Sequence, residues 1–503
     1  MGPPRKQGPS GFRAIGLGQS KAIGSGEVAL NGLQLVIALV WFAVHLGVIV
    51  RAILKPAREA YARAAWLLLL IALPGLGVIL YFLFGEPWLS GGFRARGREA
   101  YERLLPFAPA GTPLDGLTAN AFRTCEAVSH WPAVGGNTAK VAPDADAAIA
   151  MLIADIDAAR HSVHLSFYIW LTDHNGSAVI DAVCRAARRG VTCRIVADAI
   201  GSHALTRSDA WRTMQDAGAR TCASLTAPFG LGFLIGHRTD LRNHRKIVVI
   251  DGRITYCGSQ NCADPAFLPK RKFGPWVDIF IRFEGPVARQ AQIIFAAGWM
   301  AETGEPMDGV LATDPLDMPQ EGFTAIAAGT GPLSPHAAMT DIFVSVLAAA
   351  RRTAAITNPY FAPDPPLLGA IVAAARRGVD VTIVFPMRND SAIVGAISRA
   401  YYPVLAAAGV RIFEFGGGLL HAKTLVVDNI LALVGSSNMD RRSLDLNFEN
   451  NILFESPQLA AEVVGLQRRW LDQSIEVDRE AVAARPLLRR LVDNSLTMVA
   501  ALF

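Results

Sequence analysis

The chain has 503 residues, too many for one ordinary hydrophobic core, so two or three folded units are expected. Apolar residues make up 51% and charged residues only 18%, a balance that leans toward membrane attachment. The net charge of +5 suits an anionic surface without choosing lipid or nucleic acid, and the six cysteines lack metal-site spacing and read as reduced thiols.

Residues 1–27 are rich in Gly and Pro and read as a flexible tail. Val28 to Val50 contains no Asp, Glu, Lys or Arg. At about 1.5 Å per residue, roughly 20 such residues cross the hydrocarbon layer, so a transmembrane helix is predicted at about 30–50. A second uncharged run, Ala64 to Gly85, predicts another at about 64–84. A cleaved signal peptide is the alternative for the first run, but it exceeds the usual apolar length and is followed by a second run. Two spans would put both ends on one side, where the basic total is larger, and the positive-inside rule then favours a cytoplasmic catalytic domain on an inner, cytoplasmic membrane.

The remaining 400 residues repeat themselves. AVCRAARRGVTCRIVADA (182–199) is echoed by AIVAAARRGVDVTIVFP (370–386): a helix ending in Arg-Arg, a capping Gly, then a β-branched strand. Two tandem α/β units are expected, at 87–320 and 321–503, joined through the Pro/Gly-rich stretch near 307–332. Each contains a predicted hairpin, IVVIDGRITYCGS with Asp-Gly at the turn and TLVVDNILALVGS with Asp-Asn.

Ahead of these hairpins stand His244-x-Lys246 and His421-x-Lys423, 177 positions apart, in a chain with eight lysines and ten histidines. On a strand, side chains two apart share a face, so each His-Lys pair can point at one ligand. Asp251 and Asp428, five residues past each Lys, are at odd parity at the strand end, which suits a supporting role in the turn rather than proton transfer. Two ammonium groups can neutralise the non-bridging oxygens of a phosphodiester. One imidazole can attack phosphorus to form a phosphohistidine while the other protonates the departing alcohol and deprotonates the incoming one. Such chemistry calls for no metal and no cofactor.

HRKIVVIDG and HAKTLVVDN resemble the twin motifs of the phospholipase D superfamily. FYIW (167–170), NPYFAPD (358–364) and VGSSNMDRRSLDLNFE (434–449) resemble, more narrowly, the bacterial cardiolipin synthases, as does the layout of two apolar runs ending in LFGE (83–86). The resemblance implies two phospholipase D-like α/β domains forming one shared active site, preceded by two transmembrane helices. It implies a membrane enzyme that joins two phosphatidylglycerol molecules into cardiolipin and releases glycerol. His244 would be the nucleophile, His421 the acid and base, and Lys246 and Lys423 would bind phosphate, with Asp251 and Asp428 completing the motifs. Asn261 and Asn438, with Ser259 and Ser436 beside them, would hydrogen-bond phosphate oxygens, and turn capping is the plainer reading of the asparagines. Asp278 and Glu449 stand where the superfamily places a carboxylate that orients an imidazole; for Asp278 the alternative is a strand-edge charge.

GSQN in the first copy departs from the glycines common there. APFGLGFLIGH (227–237) is more apolar than a soluble loop needs to be and is expected either to dip toward lipid, through Phe229 and Phe233, or to be buried. The C-terminal RPLLRRLVDNSLTMVAALF reads as an interfacial amphipathic helix or as packing on the second unit. The expected partners are phosphatidylglycerol, cardiolipin and the bilayer, with nucleic acid disfavoured by the anchor. A lipase or headgroup-exchanging transferase of the same superfamily would use the same residues, and a non-catalytic scaffold would need neither His-Lys pair.

Overall fold

The computed structural model describes residues 32–55, 60–86, 89–226, 238, 240–313 and 321–500. The apolar stretch 227–237, with Phe229 and Phe233, lies outside them. The chain divides into two units, Met1–Leu54 and Lys55–Phe503.

In the first unit the described element is α1 (Gly32–Leu54), whose Gln34–Leu54 portion is long and apolar enough to cross a membrane. The second predicted span takes another path. Ala64–Gly85 folds as two helices, α2 (Ala60–Ala72) and α3 (Pro74–Phe84), broken where Pro74 follows Leu73 in a non-helical conformation (φ −132°, ψ 69°). Neither is long enough to span. The rings of Trp66 and Tyr81 meet edge to face at 5.2 Å, so α3 folds back along α2.

The larger unit is organised around one sheet of 15 strands. In chain order these are β1 (Val134–Val141), β2 (Ser162–Phe167), β3 (Thr192–Asp198), β4 (Arg220–Ser224), β5 (Ile247–Ile250), β6 (Ile254–Gly258) and β7 (Phe280–Glu284). The second series is β8 (Phe323–Thr330), β9 (Thr353–Thr357), β10 (Asp380–Pro386), β11 (Arg411–Phe415), β12 (Thr424–Val427), β13 (Leu431–Gly435), β14 (Glu449–Glu455) and β15 (Ser474–Glu476).

Across the sheet the order is β15-β11-β10-β9-β12-β13-β14-β8-β1-β7-β6-β5-β2-β3-β4. Read outward from the central β8–β1 pair, the two halves have the same order, with β15 added at one edge. β1 and β8 run antiparallel, Val134 opposite Ala325 and Asn137 opposite Phe323. The halves therefore share one continuous sheet, and one apolar core runs through both, from Phe122 and Phe283 to Phe385 and Trp470.

Each half builds the same supersecondary unit for the same reasons. A strand leads to an Asp-capped helix: Asp173 accepts the Gly176 N–H at 3.0 Å and Asp364 that of Leu367 at 3.0 Å. The helix stops at Arg-Arg, followed by Gly190 (φ +88°) or Gly378 (φ +90°), where the left-handed backbone favours glycine, and the chain returns as a parallel strand. The hairpins β5–β6 and β12–β13 turn through three residues each, Asp251-Gly252-Arg253 and Asp428-Asn429-Ile430, the first two of each at positive φ as the twist of a tight hairpin favours. At the C-terminus, helix Leu487–Ala500 packs on helix Ala392–Ala400 and leaves Leu487, Leu488 and Leu491 exposed.

Candidate active site

His244 and Lys246, and His421 and Lys423, lie in the extended segments leading into β5 and β12, not on ladder strands. Their backbone groups are engaged across the molecular pseudo-twofold instead. The His244 N–H donates to the Phe448 carbonyl at 2.9 Å, and the Lys246 N–H donates to Asn450 Oδ1 at 2.9 Å. In the mirror arrangement Leu419–Leu420 pairs with Trp276–Val277, and the His421 N–H donates to the Val277 carbonyl at 2.7 Å. Each His-Lys segment is thus stitched to the carboxylate-bearing strand of the other half.

The side chains follow. His244 Nδ1 lies 2.9 Å from Glu449 Oε2, and His421 Nδ1 lies 2.6 Å from Asp278 Oδ1. Each carboxylate follows one histidine in sequence and contacts the other. Ser259 Oγ donates to Asp278 at 2.5 Å, Ser436 Oγ donates to Glu449, and Asn447 Nδ2 adds a 3.3 Å bond to Glu449. This corrects the expectation that Ser259 and Ser436 meet phosphate, because their hydroxyl protons are committed to the carboxylates. The preceding glycines are needed for that approach: a Cβ at Gly258 would sit 2.1 Å from the Ile279 carbonyl, and one at Gly435 2.4 Å from that of Asn450.

The two lysines fold back on their own segments, Lys246 Nζ donating to the His244 carbonyl at 2.7 Å and Lys423 Nζ to that of His421 at 2.5 Å. An ammonium has three N–H groups, so each can also meet phosphate oxygens. Tyr168 packs on His244 (ring centroids 4.9 Å apart) and Trp276 on His421 (4.6 Å). These aromatic walls, together with Tyr360 at 6.4 Å from His421, were not singled out from the sequence. Tyr168 and Tyr360 do lie inside FYIW and NPYFAPD.

Electrostatics ties the four motif residues into one site. Both lysines feel both Asp278 and Glu449, and each histidine feels the lysine of the other half. Burial, reinforced by the ammonium groups, pushes both imidazoles down to about 4. Burial also pulls Lys246 down to about 8 and Lys423 to about 7. The histidines and lysines beside Asp278 and Glu449 hold both carboxyls below the usual carboxylate range despite burial. Two carboxylates balance two ammoniums, so the free site is neutral with neutral imidazoles. Each Nδ1–H then donates to its carboxylate, and Nε2 keeps its lone pair.

Asn261 Oδ1 accepts the Ile169 N–H at 3.1 Å, while its buried Nδ2 has no partner within the protein. Asn438 Oδ1 is likewise buried without a partner. Asp440, another residue not singled out, caps helix Arg441–Asp445, and burial raises its carboxyl to about 6.

Asp251 and Asp428 leave the catalytic set. Four strand residues, about 13 Å of extended chain, separate each from its lysine. Asp251 accepts the N–H groups of Arg160, His161 and Ser162 at 2.7–2.9 Å, and Asp428 those of Arg351, Arg352 and Thr353 at 2.8–2.9 Å. Replacing either by Ala should cost about 1–3 kcal/mol of stability through lost charge-assisted bonds. Thermal melts should record that loss, while turnover per folded molecule stays near that of the parent.

Among the described residues no cluster of three or more His, Cys, Asp or Glu has the arrangement of a metal site. Arg245 alternates with His244 and Lys246 and borders a separate apolar cavity of about 340 Å³, lined by Phe93, Tyr101, Ile294, Leu333 and Phe448.

Two matches fall within the larger unit: residues 152–274 and 343–470 match a family model described as cardiolipin synthase, phospholipase D-like domain. Residues 37–86 match a phospholipase D-nuclease N-terminal model. "Cardiolipin synthase A" of Klebsiella pneumoniae (strain 342) is 36% identical over 478 residues, covering 92% of this chain and 96% of that one. The chain belongs to the cardiolipin synthase family of the phospholipase D superfamily. A second member, "Cardiolipin synthase A" of Salmonella gallinarum (strain 287/91 / NCTC 13346), is 36% identical over 476 residues, covering 91% and 96%. The fold is also that of a phosphatidylserine synthase from Haemophilus influenzae Rd KW20 (TM-score 0.55, 15% identity, 76% of this chain and 97% of that one).

Proposed function

We propose that this chain transfers a phosphatidyl group between two phosphatidylglycerol molecules at a membrane, giving cardiolipin and glycerol. Family membership supports the substrate, and one geometric observation supports the mechanism: two imidazole–carboxylate pairs are each built from both halves, and both lysines feel both carboxylates.

The neutral site prepares the first step. Nε2 of His244, its Nδ1–H held by Glu449, attacks phosphorus while Lys246 and Lys423 take the non-bridging oxygens, with Asn261 and Asn438 as further hydrogen-bonding groups. A bound phosphodiester adds one negative charge, and taking up one proton restores neutrality. His421, beside Asp278, carries that proton and delivers it to the departing glycerol oxygen. The P–O bond breaks as the P–N bond forms. His421 then removes the proton of the second phosphatidylglycerol's terminal hydroxyl, whose oxygen attacks phosphorus and releases His244. The assignment of nucleophile and acid follows the family. The basic residues that flank the apolar segments support a catalytic body on the cytoplasmic side of the membrane.

The test is to supply purified protein with phosphatidylglycerol alone. Cardiolipin with equimolar glycerol is expected; phosphatidic acid with glycerol would make the chain a hydrolase instead. The pH profile follows from the same electrostatics. In the free enzyme the imidazoles are shifted down, so the acid limb of kcat/KM should fall below pH 6.5, toward about 4. The lysines are shifted down too, so the alkaline limb should begin near pH 7–8, where Lys423 and then Lys246 lose their charge. In kcat the alkaline limb should move up, because bound phosphate favours the charged ammoniums. An unchanged alkaline limb would remove the lysines from phosphate binding.

A further inference from the structure

We propose that α2 and α3 form a hairpin embedded in a single leaflet of the bilayer, entering and leaving on the same face, and that it sets the His244 segment at headgroup depth. The proposal stands independently of the transfer reaction.

Length is the first argument. At 13 and 11 residues, α2 and α3 are about 20 and 16 Å long, against about 30 Å of hydrocarbon, so each reaches about halfway. The fold-back is tight, for a Cβ at Gly77 would lie 2.8 Å from the Leu69 carbonyl. The two ends are joined chemically. Lys55 Nζ sits 2.9 Å from Glu86 Oε2, Tyr81 Oη donates to Glu86 Oε1 at 2.8 Å, and Arg63 Nη2 donates to the Lys55 carbonyl at 3.0 Å. A helix crossing the bilayer would put residues 55 and 86 on opposite surfaces; here they form an ion pair, with Glu86 only 3% exposed.

The occupant of the outer face follows from its chemistry. Leu68, Ile71, Leu73, Leu76 and Ile79 are 46–70% exposed, and no charged residue lies between Ala64 and Gly85. The charged and hydrogen-bonding groups gather at the open end. Water solvates that end well and the apolar end poorly, whereas a leaflet matches both. An interfacial amphipathic helix would have a polar face along its length. These helices have none.

The open end is anchored beside the active site. Arg238 Nη1 donates to the Phe84 carbonyl at 2.7 Å and Arg238 Nη2 to Asp240 Oδ2 at 2.8 Å, and Arg442 also binds Asp240. Asp240 is four residues before His244. The depth of the hairpin therefore fixes the height of the His244 segment above the acyl chains, where phosphodiesters of the same leaflet lie.

Single cysteines answer the question in the full-length protein: Ala60→Cys at the first residue of the hairpin, Gly92→Cys after it, and Gly75→Cys at its tip. Sealed native membrane vesicles are treated with a membrane-impermeant maleimide from one side and then from both, with the unmodified chain as background. Residues 60 and 92 should label from the same side, and residue 75 should label only after detergent denaturation. A fluorophore placed at residue 75 in detergent and reconstituted should be quenched by phospholipids brominated on their acyl chains. Labelling of 60 and 92 from opposite sides would make the run a through-span. Labelling of 75 in intact vesicles would put the tip in water, and absent quenching would mean that protein, such as a second copy, covers it. Each of these results overturns the proposal. No readout depends on turnover, so a failed product assay would leave this test intact.

Discussion

Replacing either His244 or His421 with Ala is expected to lower turnover by about 10⁴-fold or more, the combined scale for losing a nucleophile or an essential acid and base. The fold should survive. Each imidazole is held by a buried carboxylate, but Glu449 keeps the Ser436 and Asn447 donors after His244 is removed, and Asp278 keeps Ser259. A stability loss of about 1–3 kcal/mol is the expected scale for such a truncated hydrogen bond. The double variant should be no slower than either single one, because both groups serve one reaction path. Radiolabelled phosphatidylglycerol turnover and thermal melts on the same samples separate catalysis from folding. Activity above about 1% of the parent in either variant would contradict a two-histidine mechanism.

The second large effect concerns the carboxylates. Glu449→Gln and Asp278→Asn keep a hydrogen-bond acceptor but lose the charge that stabilises imidazolium, so each should slow turnover by about 10²–10⁴-fold. The crossed geometry makes a sharper prediction in unfolding free energy. A cycle of His244→Ala with Glu449→Gln should show coupling of about 0.5–3 kcal/mol, and His244→Ala with Asp278→Asn a clearly smaller one, carried only through the shared lysines. Pairing within each half would give the opposite pattern. Denaturant melts of the three single variants and the two doubles decide between them.

The difference between what the sequence made legible and what it did not has physical causes. Hairpins, Arg-Arg-Gly helix ends and His-x-Lys segments are local, and the repeat doubles each signal, so two α/β units and four candidate side chains stand out. Pairing across a pseudo-twofold leaves no such trace. Asp278 and Glu449 stand out through the family resemblance, but their positions in the chain do not say that each reaches into the opposite half, because it is the β8–β1 seam that brings the halves together. The same seam explains why the His-Lys segments are not ladder strands: their backbone partners, Phe448, Asn450 and Val277, come from the other half. In Ala64–Gly85, hydropathy measured the length of an uncharged run and not its path. Pro74 marked the break, yet the turn back shows only in contacts between residues distant in sequence, the Trp66–Tyr81 rings and the Lys55–Glu86 pair. For Asp251 and Asp428 strand parity carried the information, since a side chain at odd offset at the strand end cannot share a ligand with the lysine.

The most direct measurement counts the covalent intermediate. Protein mixed with phosphatidylglycerol, quenched at alkaline pH where phosphohistidine survives, and read by intact and peptide mass spectrometry should carry a single phosphatidyl group per chain, on one of His244 and His421. Two groups on one chain, one at each histidine, would mean two independent half-sites and would contradict the convergence of both halves on one phosphorus.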